Sequence, residues 1–279
     1  MKIKFWGTRG SIPAPGPDTV KYGGNTTCVE VRLKDNTLLI IDAGTGIRKL
    51  GLSLIKENIT QINLFLTHSH WDHIQGFPFF APAHFPSVEI DIFGRPPAYS
   101  KLKELLADQM EYRYFPVNFD DLKSKINFIE VYKNKFTINN ATMHIIETNH
   151  PGTTHALRIE EDGANFVFLT DNEIHPPTLP KNPYKDFVNF SFKADLFVHD
   201  AQYTPEEMSN KKGWGHSSYD QATQLAIDAR VKSFALFHHE PEHTDKDIDA
   251  ILMKCKRIIK KQKSSLKCFA AKEESKIEI

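Results

Sequence analysis

The chain has 279 residues, 40% of them hydrophobic, and its 35 Lys and Arg balance 35 Asp and Glu. That length and apolar content support one substantial core over residues 1–279 and exclude extensive disorder, while zero net charge excludes an overall electrostatic funnel for a long polyanion such as RNA or DNA. The opening "MKIKFWGTRGSIPAPGP" has no apolar signal core and no run of about eighteen apolar residues occurs, so a soluble cytoplasmic protein without membrane contact is expected, with Cys28, Cys255 and Cys268 too scattered for a disulfide framework or a cysteine metal site.

Taken in order, short apolar strands are separated by Gly, Pro, Asn and Asp. "IKF", "CVEVRL" and "TLLIID" read as strands, "TGIRKLGLSLIKE" sets Ile47, Leu50 and Leu54 at helical spacing, and "INLFL" is the next strand. From Phe77 to Asn140 the pattern loosens, leaving a strand at "VEIDIF", a helix near "YSKLKELLADQ" and an aromatic connection at "EYRYFPVNF". Strands resume at "ATMHIIET", "HALRIE", "NFVFLTD" and "DLFVHD". The helix "SSYDQATQLAIDAR" opens on a capping-box pair, Ser218 and Gln221; the strand "SFALF", a helix from Thr244 to about Lys261, and a final strand pair, "KCFAAKE" with "KIEI", complete the chain. Strands lead both halves and helices follow, which predicts an α/β protein with two packed sheets covered by helices outside.

The densest chemistry lies in "LFLTHSHWDHIQGFP", Leu64 to Pro78, which sets His68, His70, Asp72 and His73 where a strand gives out. Imidazole and carboxylate suit zinc and related divalent ions. His68 and His70 share a parity and can grip one ion, leaving Asp72 and His73 to face a second. Packing so many titratable imidazoles together without a metal is costly below neutral pH.

"THSHWDHIQG" resembles the HxHxDH signature of the metallo-β-lactamase superfamily, and its other motifs follow in order: Asp42 in "LLIIDAGTG", His150 in "TNHPG", Asp171 in "VFLTD" and His238 in "LFHHEP". The resemblance covers nearly the whole chain and implies a four-layer αββα sandwich, two mixed sheets with helices outside and a dinuclear site at the rim where the sheets meet. It assigns one divalent ion to His68, His70 and His150, the other to Asp72, His73 and His238, and the bridging position to Asp171. Zinc is the expected metal, with manganese and iron left open by the ligand set. Two such ions about 3.5 to 4 Å apart activate water and clamp the oxygens of a phosphoryl or carbonyl group. Asp42 is expected to support a ligand histidine, and His238, which ends "SFALF", is preferred to His239 as the last ligand.

Two further segments resemble the ribonuclease Z and cyclic-nucleotide phosphodiesterase branch: "DLFVHDAQY" with Asp200 in an acidic place, and "GWGHSSYDQA" with His216. Asp72, Asp200 and His216 are thus the candidate catalytic residues, the last two as a pair that protonates the departing oxygen. Ribonuclease Z carries a long tRNA-gripping arm between its third histidine and bridging aspartate, whereas "GTTHALRIEEDGANFVFL" leaves room for a hairpin alone. The expected substrate is therefore a small phosphodiester, a 3′,5′-cyclic nucleotide above all, and no long nucleic acid. The alternatives are a ribonuclease Z-like nuclease, a hydrolase of thioesters or other esters, and a binding protein that kept the fold. Phe77, Phe79 and Phe80 and the run Tyr112 to Phe115 are expected mostly as core or homodimer-contact aromatics, with a face for stacking a base as the functional alternative.

Overall fold

Apolar runs such as "LLII" and "LFVHD" are buried on both faces, as central parallel strands require, whereas "ATMHIIE" alternates, as an antiparallel strand with one covered face does. The computed structural model describes residues 1–95 and 101–279. The first half runs β1 (Lys2–Gly7), β2 (Cys28–Arg32), β3 (Leu38–Ile41), α1 (Ile47–Lys56), β4 (Gln61–Leu66), α2 (Trp71–Ile74), β5 (Glu89–Gly94), α3 (Leu102–Ala107), β6 (Lys125–Glu130) and β7 (Lys135–Ile138). It continues through β8 (Ala141–Glu147), β9 (His155–Glu161), β10 (Ala164–Leu169), α4 (Tyr184–Ser191), β11 (Leu196–Asp200), α5 (Pro205–Met208), α6 (Tyr219–Asp228), β12 (Ser233–Phe237), α7 (Asp245–Lys261), β13 (Lys267–Ala270) and β14 (Lys276–Glu278).

Among these residues the strands form two mixed sheets of seven, ordered β14-β1-β2-β3-β4-β5-β6 and β13-β12-β11-β10-β9-β8-β7. Strands β3 to β6 are parallel, as are β10 to β13, and the other pairings are antiparallel. Phe5, Val29, Ile41 and Phe65 of the first sheet meet Leu157, Phe168, Val198 and Phe237 of the second in one shared core. Outside, Leu50 and Leu54 of α1 join a core with Leu102 and Leu106 of α3 over the first sheet, and α4, α6 and α7 cover the second. This is the αββα sandwich.

Both parallel halves send their carboxyl ends to the same rim. Ile41 pairs with Phe65 in the first sheet, Leu169 with His199 and Asp200 with Phe237 in the second, so Asp42, Thr67, Asp171 and His238, each just past a strand end, share that rim with Asp200. Asp42, Asp171 and His238 turn there in the left-handed region, at φ of 63°, 56° and 55°. Such backbone costs non-glycine residues on the order of 1 kcal/mol or more and concentrates at functional sites.

Three readings of the sequence change. "KCFAAKE" and "KIEI" are not a pair: β13 lies beside β12 and β14 beside β1, on opposite sheets. Their adjacency in sequence hid a crossing between layers. The loose central stretch holds two further strands, β6 and β7; the half-buried "KINFIE" alternates too weakly to mark one. The helix near "YSKLKELLADQ" runs as α3 from Leu102, while Tyr99 and Ser100 lie outside the described residues. No described helix is long and apolar enough to cross a membrane.

Phe168 is fully buried and its ring sits 5.4 Å from that of Phe237, which in turn lies 5.8 Å from Phe5 across the sheets. Phe168→Ala should cost about 3–5 kcal/mol in chemical denaturation. A loss under about 1 kcal/mol would mean that the two sheets do not depend on this shared core.

Candidate metal centre

Strand β4 ends at Leu66, and the chain turns through Thr67 to His70 before the single turn of α2, with His70 as its extended N-cap (ψ 148°). That geometry lets His68 and His70 reach one point while Asp72 and His73, already on the helix, reach another. The ligand-type atoms of His68, His70 and His150 lie within 4.8 Å of one another; so do those of Asp72, His73, Asp171 and His238, and those of His150, Asp171 and His216. Asp171 faces them all. Its Oδ1 is 3.4 Å from His238 Nε2, 3.9 Å from His68 Nε2, 3.9 Å from His216 Nδ1 and 4.0 Å from His150 Nε2, and its Oδ2 is 3.3 Å from His73 Nε2.

An outer layer fixes the rings. His73 Nδ1 lies 2.8 Å from Asp42 Oδ2, His150 Nδ1 2.9 Å from the Gly215 carbonyl and His238 Nδ1 3.0 Å from Gln202 Oε1. With Nδ1–H donating outward in each, Nε2 is left as the inward donor of a lone pair, the arrangement that orients metal-binding imidazoles. Asp42 thus supports a ligand-type histidine, and accepts from the Thr67 backbone N–H (2.8 Å) as well. Ser11 donates its N–H to Asp72 Oδ2 at 2.7 Å. His239 points elsewhere, donating from Nε2 to the Ala271 carbonyl at 2.8 Å.

His68 Nε2, His73 Nε2, Asp171 Oδ2 and His216 Nδ1 are buried without a hydrogen-bond partner among the described residues. Each such atom costs about 1–3 kcal/mol, so their convergence calls for a shared cationic partner, and imidazole with carboxylate is the donor set of first-row divalent ions. The residues fit two divalent metals. Burial, with His73 beside it, pushes the His68 imidazole well below its ordinary pKa. Burial works to raise the Asp171 carboxyl, yet His238, His73 and His68 together hold it well below the carboxylate range. One group is ready to give a lone pair and the other to carry charge.

At the rim, His216 Nδ1 is 3.6 Å from Asp200 Oδ2, longer than a hydrogen bond, and its ring stacks on that of His238 with centroids 5.0 Å apart. Asp200 Oδ2 accepts instead from the Ser217 N–H at 2.8 Å, and Oδ1 lies 3.0 Å from His199 Nδ1. Burial raises the Asp200 carboxyl but His199 and His216 outweigh it, leaving it at about 2. The two side chains are adjacent, with Asp200 held as an anion. His199, Gln202, Ser11 and Gly215 carry no motif that marks them in the sequence; Gly213 and Gly215 in "GWGH", both at positive φ, are the available signal. Of the aromatic wall, Phe77 and Phe80 are core residues, fully buried.

Residues 37–239 match the family model described as β-lactamase superfamily domain. The chain belongs to that superfamily, and with these ligand groups it is a metal-dependent hydrolase. Its relatives include the ribonuclease Z of Picrophilus torridus, 25% identical over 88% of this chain and 87% of that protein, and that of Streptococcus suis, 27% identical over 90% and 93%. The fold is shared with the metallo-β-lactamase fold protein YhfI of Bacillus subtilis (TM-score 0.72, 18% identity, 100% and 98% of the two chains). It is shared too with the short form of human tRNase Z (0.66, 20%, 100% and 99%) and a diphosphatase of the PhnP family (0.69, 16%, 100% and 97%).

A methyl group added at Gly215 would lie 2.2 Å from His150 Nδ1, at a backbone φ of +85°. Gly215→Ala should therefore displace His150 and weaken metal affinity about 10- to 100-fold, as loss of an outer partner does, read by competition with a chromogenic chelator. Wild-type affinity in a folded Gly215→Ala protein would separate His150 from the metals.

Proposed function

We propose that this hydrolase is a phosphodiesterase that cuts RNA in the manner of a ribonuclease Z-like nuclease. The observation that carries the reading is the placement of His216 and Asp200 on the rim of two ligand groups that share Asp171; the named relatives, aligned over most of their length, support RNA as substrate. In this reading residues 1–279 act as one domain, since both sheets supply ligands.

His68, His70 and His150 would hold one divalent ion and Asp72, His73 and His238 a second, with Asp171 between them. Bound there, such ions supply an activated water and neutralise charge on a phosphoryl oxygen. The chain's own residues do the rest. Asp42, Gln202 and the Gly215 carbonyl keep three imidazoles in the tautomer that presents Nε2 inward. His216, with Asp200 fixed beside it by Ser217, carries a proton to the leaving oxygen, which an alkoxide needs and an aryl oxide does not.

One observation favours a smaller substrate. Between His150 and Asp171 the chain is little more than the hairpin β9–β10, where Glu161 pairs with Ala164 around a turn at Asp162 and Gly163 (φ 48° and 84°). That two-residue turn offers no reach along a tRNA, and the second reading is accordingly hydrolysis of a 3′,5′-cyclic nucleotide.

With zinc or manganese restored after stripping, precursor tRNA, cyclic mononucleotides and a thioester should be compared by kcat/KM. Stripping should abolish activity, and tRNA ahead of cyclic nucleotide by tenfold or more selects the first reading, the reverse order the second. A thioester ahead of both overturns the phosphodiesterase. His216→Ala should lower turnover of alkyl-leaving-group phosphodiesters by about 10²- to 10⁴-fold while sparing aryl esters and metal content. Equal losses on both would make His216 a positioning residue.

A further inference from the structure

An aromatic side chain sits inside the HxHxDH stretch itself. Trp71 stands between His70 and Asp72 at the first position of α2, and 77% of it is exposed. A lone exposed aromatic is ordinary, but this one has company. It lines a cavity of about 620 Å³ together with Ser69, Ile74, Leu105, Asp108 and Tyr114, a volume within the roughly 300–1,000 Å³ of small-ligand sites.

The cavity is built from two elements that are tied together. Gln109 donates its side-chain N–H to the Ile74 carbonyl at 3.1 Å, fastening the segment after α3 to the end of α2. Tyr114, 69% exposed, is backed by the Arg113 guanidinium, 4.8 Å from its ring, and Phe115 next to it packs edge-on against Phe79 at 5.3 Å. Neither Trp71 nor Tyr114 stacks on any aromatic ring of the described residues. Both rings therefore line the cavity without an aromatic partner, Tyr114 with Arg113 against its ring, and Ile74 and Leu105 add apolar lining. Asp108 is exposed, with no side-chain hydrogen bond or ion pair among the described residues, so it offers free acceptors at the edge of whatever lies between the rings.

A flat, amphipathic ring with N–H donors at its edge satisfies every wall of this cavity. We propose that it is a nucleobase subsite: a base next to the scissile phosphodiester stacks on Trp71, with Tyr114 closing the other side and Asp108 accepting from the amino or imino edge. The inference rests on the phosphodiesterase reading, and it applies to an RNA nucleotide and a mononucleotide alike, since both carry their base one sugar away from the reacting phosphorus. Stacking on an aromatic side chain is sequence-tolerant, because every base has a π-face. The subsite therefore favours nucleotides over other phosphodiesters with little choice among bases.

The test compares two substrates with the same bond and leaving group, the p-nitrophenyl ester of thymidine 5′-phosphate and that of 2-deoxyribose 5-phosphate, on the metal-loaded protein. Trp71→Ala should lower the ratio of their kcat/KM values about 5- to 150-fold, the worth of one stacked base, chiefly through KM, and Trp71→Phe should restore most of it. An unchanged ratio overturns the subsite, as does a change in oligomeric mass of Trp71→Ala, which would mark the face as a contact between copies. Should the wild type hydrolyse neither ester, the phosphodiesterase reading fails and the subsite is decided by fluorescence. Quenching by adenosine 5′-monophosphate but not ribose 5-phosphate, lost in Trp71→Phe, supports it; no quenching, or equal quenching by both, overturns it.

Discussion

A carboxylate buried to 1% exposure, with imidazoles of both sheets within about 4 Å, is the constraint on which the rest of this molecule depends. Among the described residues no Lys or Arg pairs with Asp171, and an unanswered buried charge costs several kcal/mol. The fold meets that demand by bringing strand ends from two separate sheets to one rim, so that His68, His73, His150, His216 and His238 surround it. The sandwich is thus both a hydrophobic solution, with helices outside and a shared core between the sheets, and a device for converging polar groups that no single strand-loop-helix unit could supply.

Convergence of this kind is paid for in backbone strain. Asp42, Asp171 and His238 each turn through the left-handed region directly after a parallel strand, where an extended residue would carry the side chain onward instead of across the rim. Glycines complete the fit. A Cβ at Gly10 would lie 2.2 Å from His238 Nδ1, and one at Gly44 2.3 Å from the Asp72 carbonyl. Backbone approaches the ligand rings closely enough to lock their orientation, which pre-organises the site at the expense of stability elsewhere.

The layers and the meeting of side chains around Asp171 were legible in the sequence because both are periodic or local in origin. Doubly buried strands show as unbroken apolar runs, and HxHxDH is compressed into six positions. What those side chains do there is our proposal; that they meet is geometry. The misread parts depended on long-range facts. Nothing in "KCFAAKE" or "KIEI" says which sheet each joins. The cavity beside Trp71 likewise depends on Leu105, Asp108 and Tyr114, far along the chain.

The N-terminal loop shows the same logic at the other end of the chain. Arg9 is fully buried, and its guanidinium is held by carbonyls in place of a carboxylate: Nε donates to Gly23 at 2.9 Å, and Nη1 to Glu240 and His243 at 2.8 and 2.7 Å. Two backbone hydrogen bonds flank it, His239 N to the Thr8 carbonyl at 2.9 Å and Gly10 N to the His239 carbonyl at 3.1 Å. These contacts stitch the first sheet to the loop that carries His238, and the next residue, Ser11, donates to Asp72. Each ligand group then includes residues from both sheets: His68 and His70 with His150 in one, Asp72 and His73 with Asp171 and His238 in the other. Sliding of one sheet on the other would separate them, and the buried guanidinium opposes that sliding because it would lose three carbonyl acceptors at once. The "GTRGS" stretch therefore belongs to the site as fully as HxHxDH does, acting on geometry where the latter supplies donors.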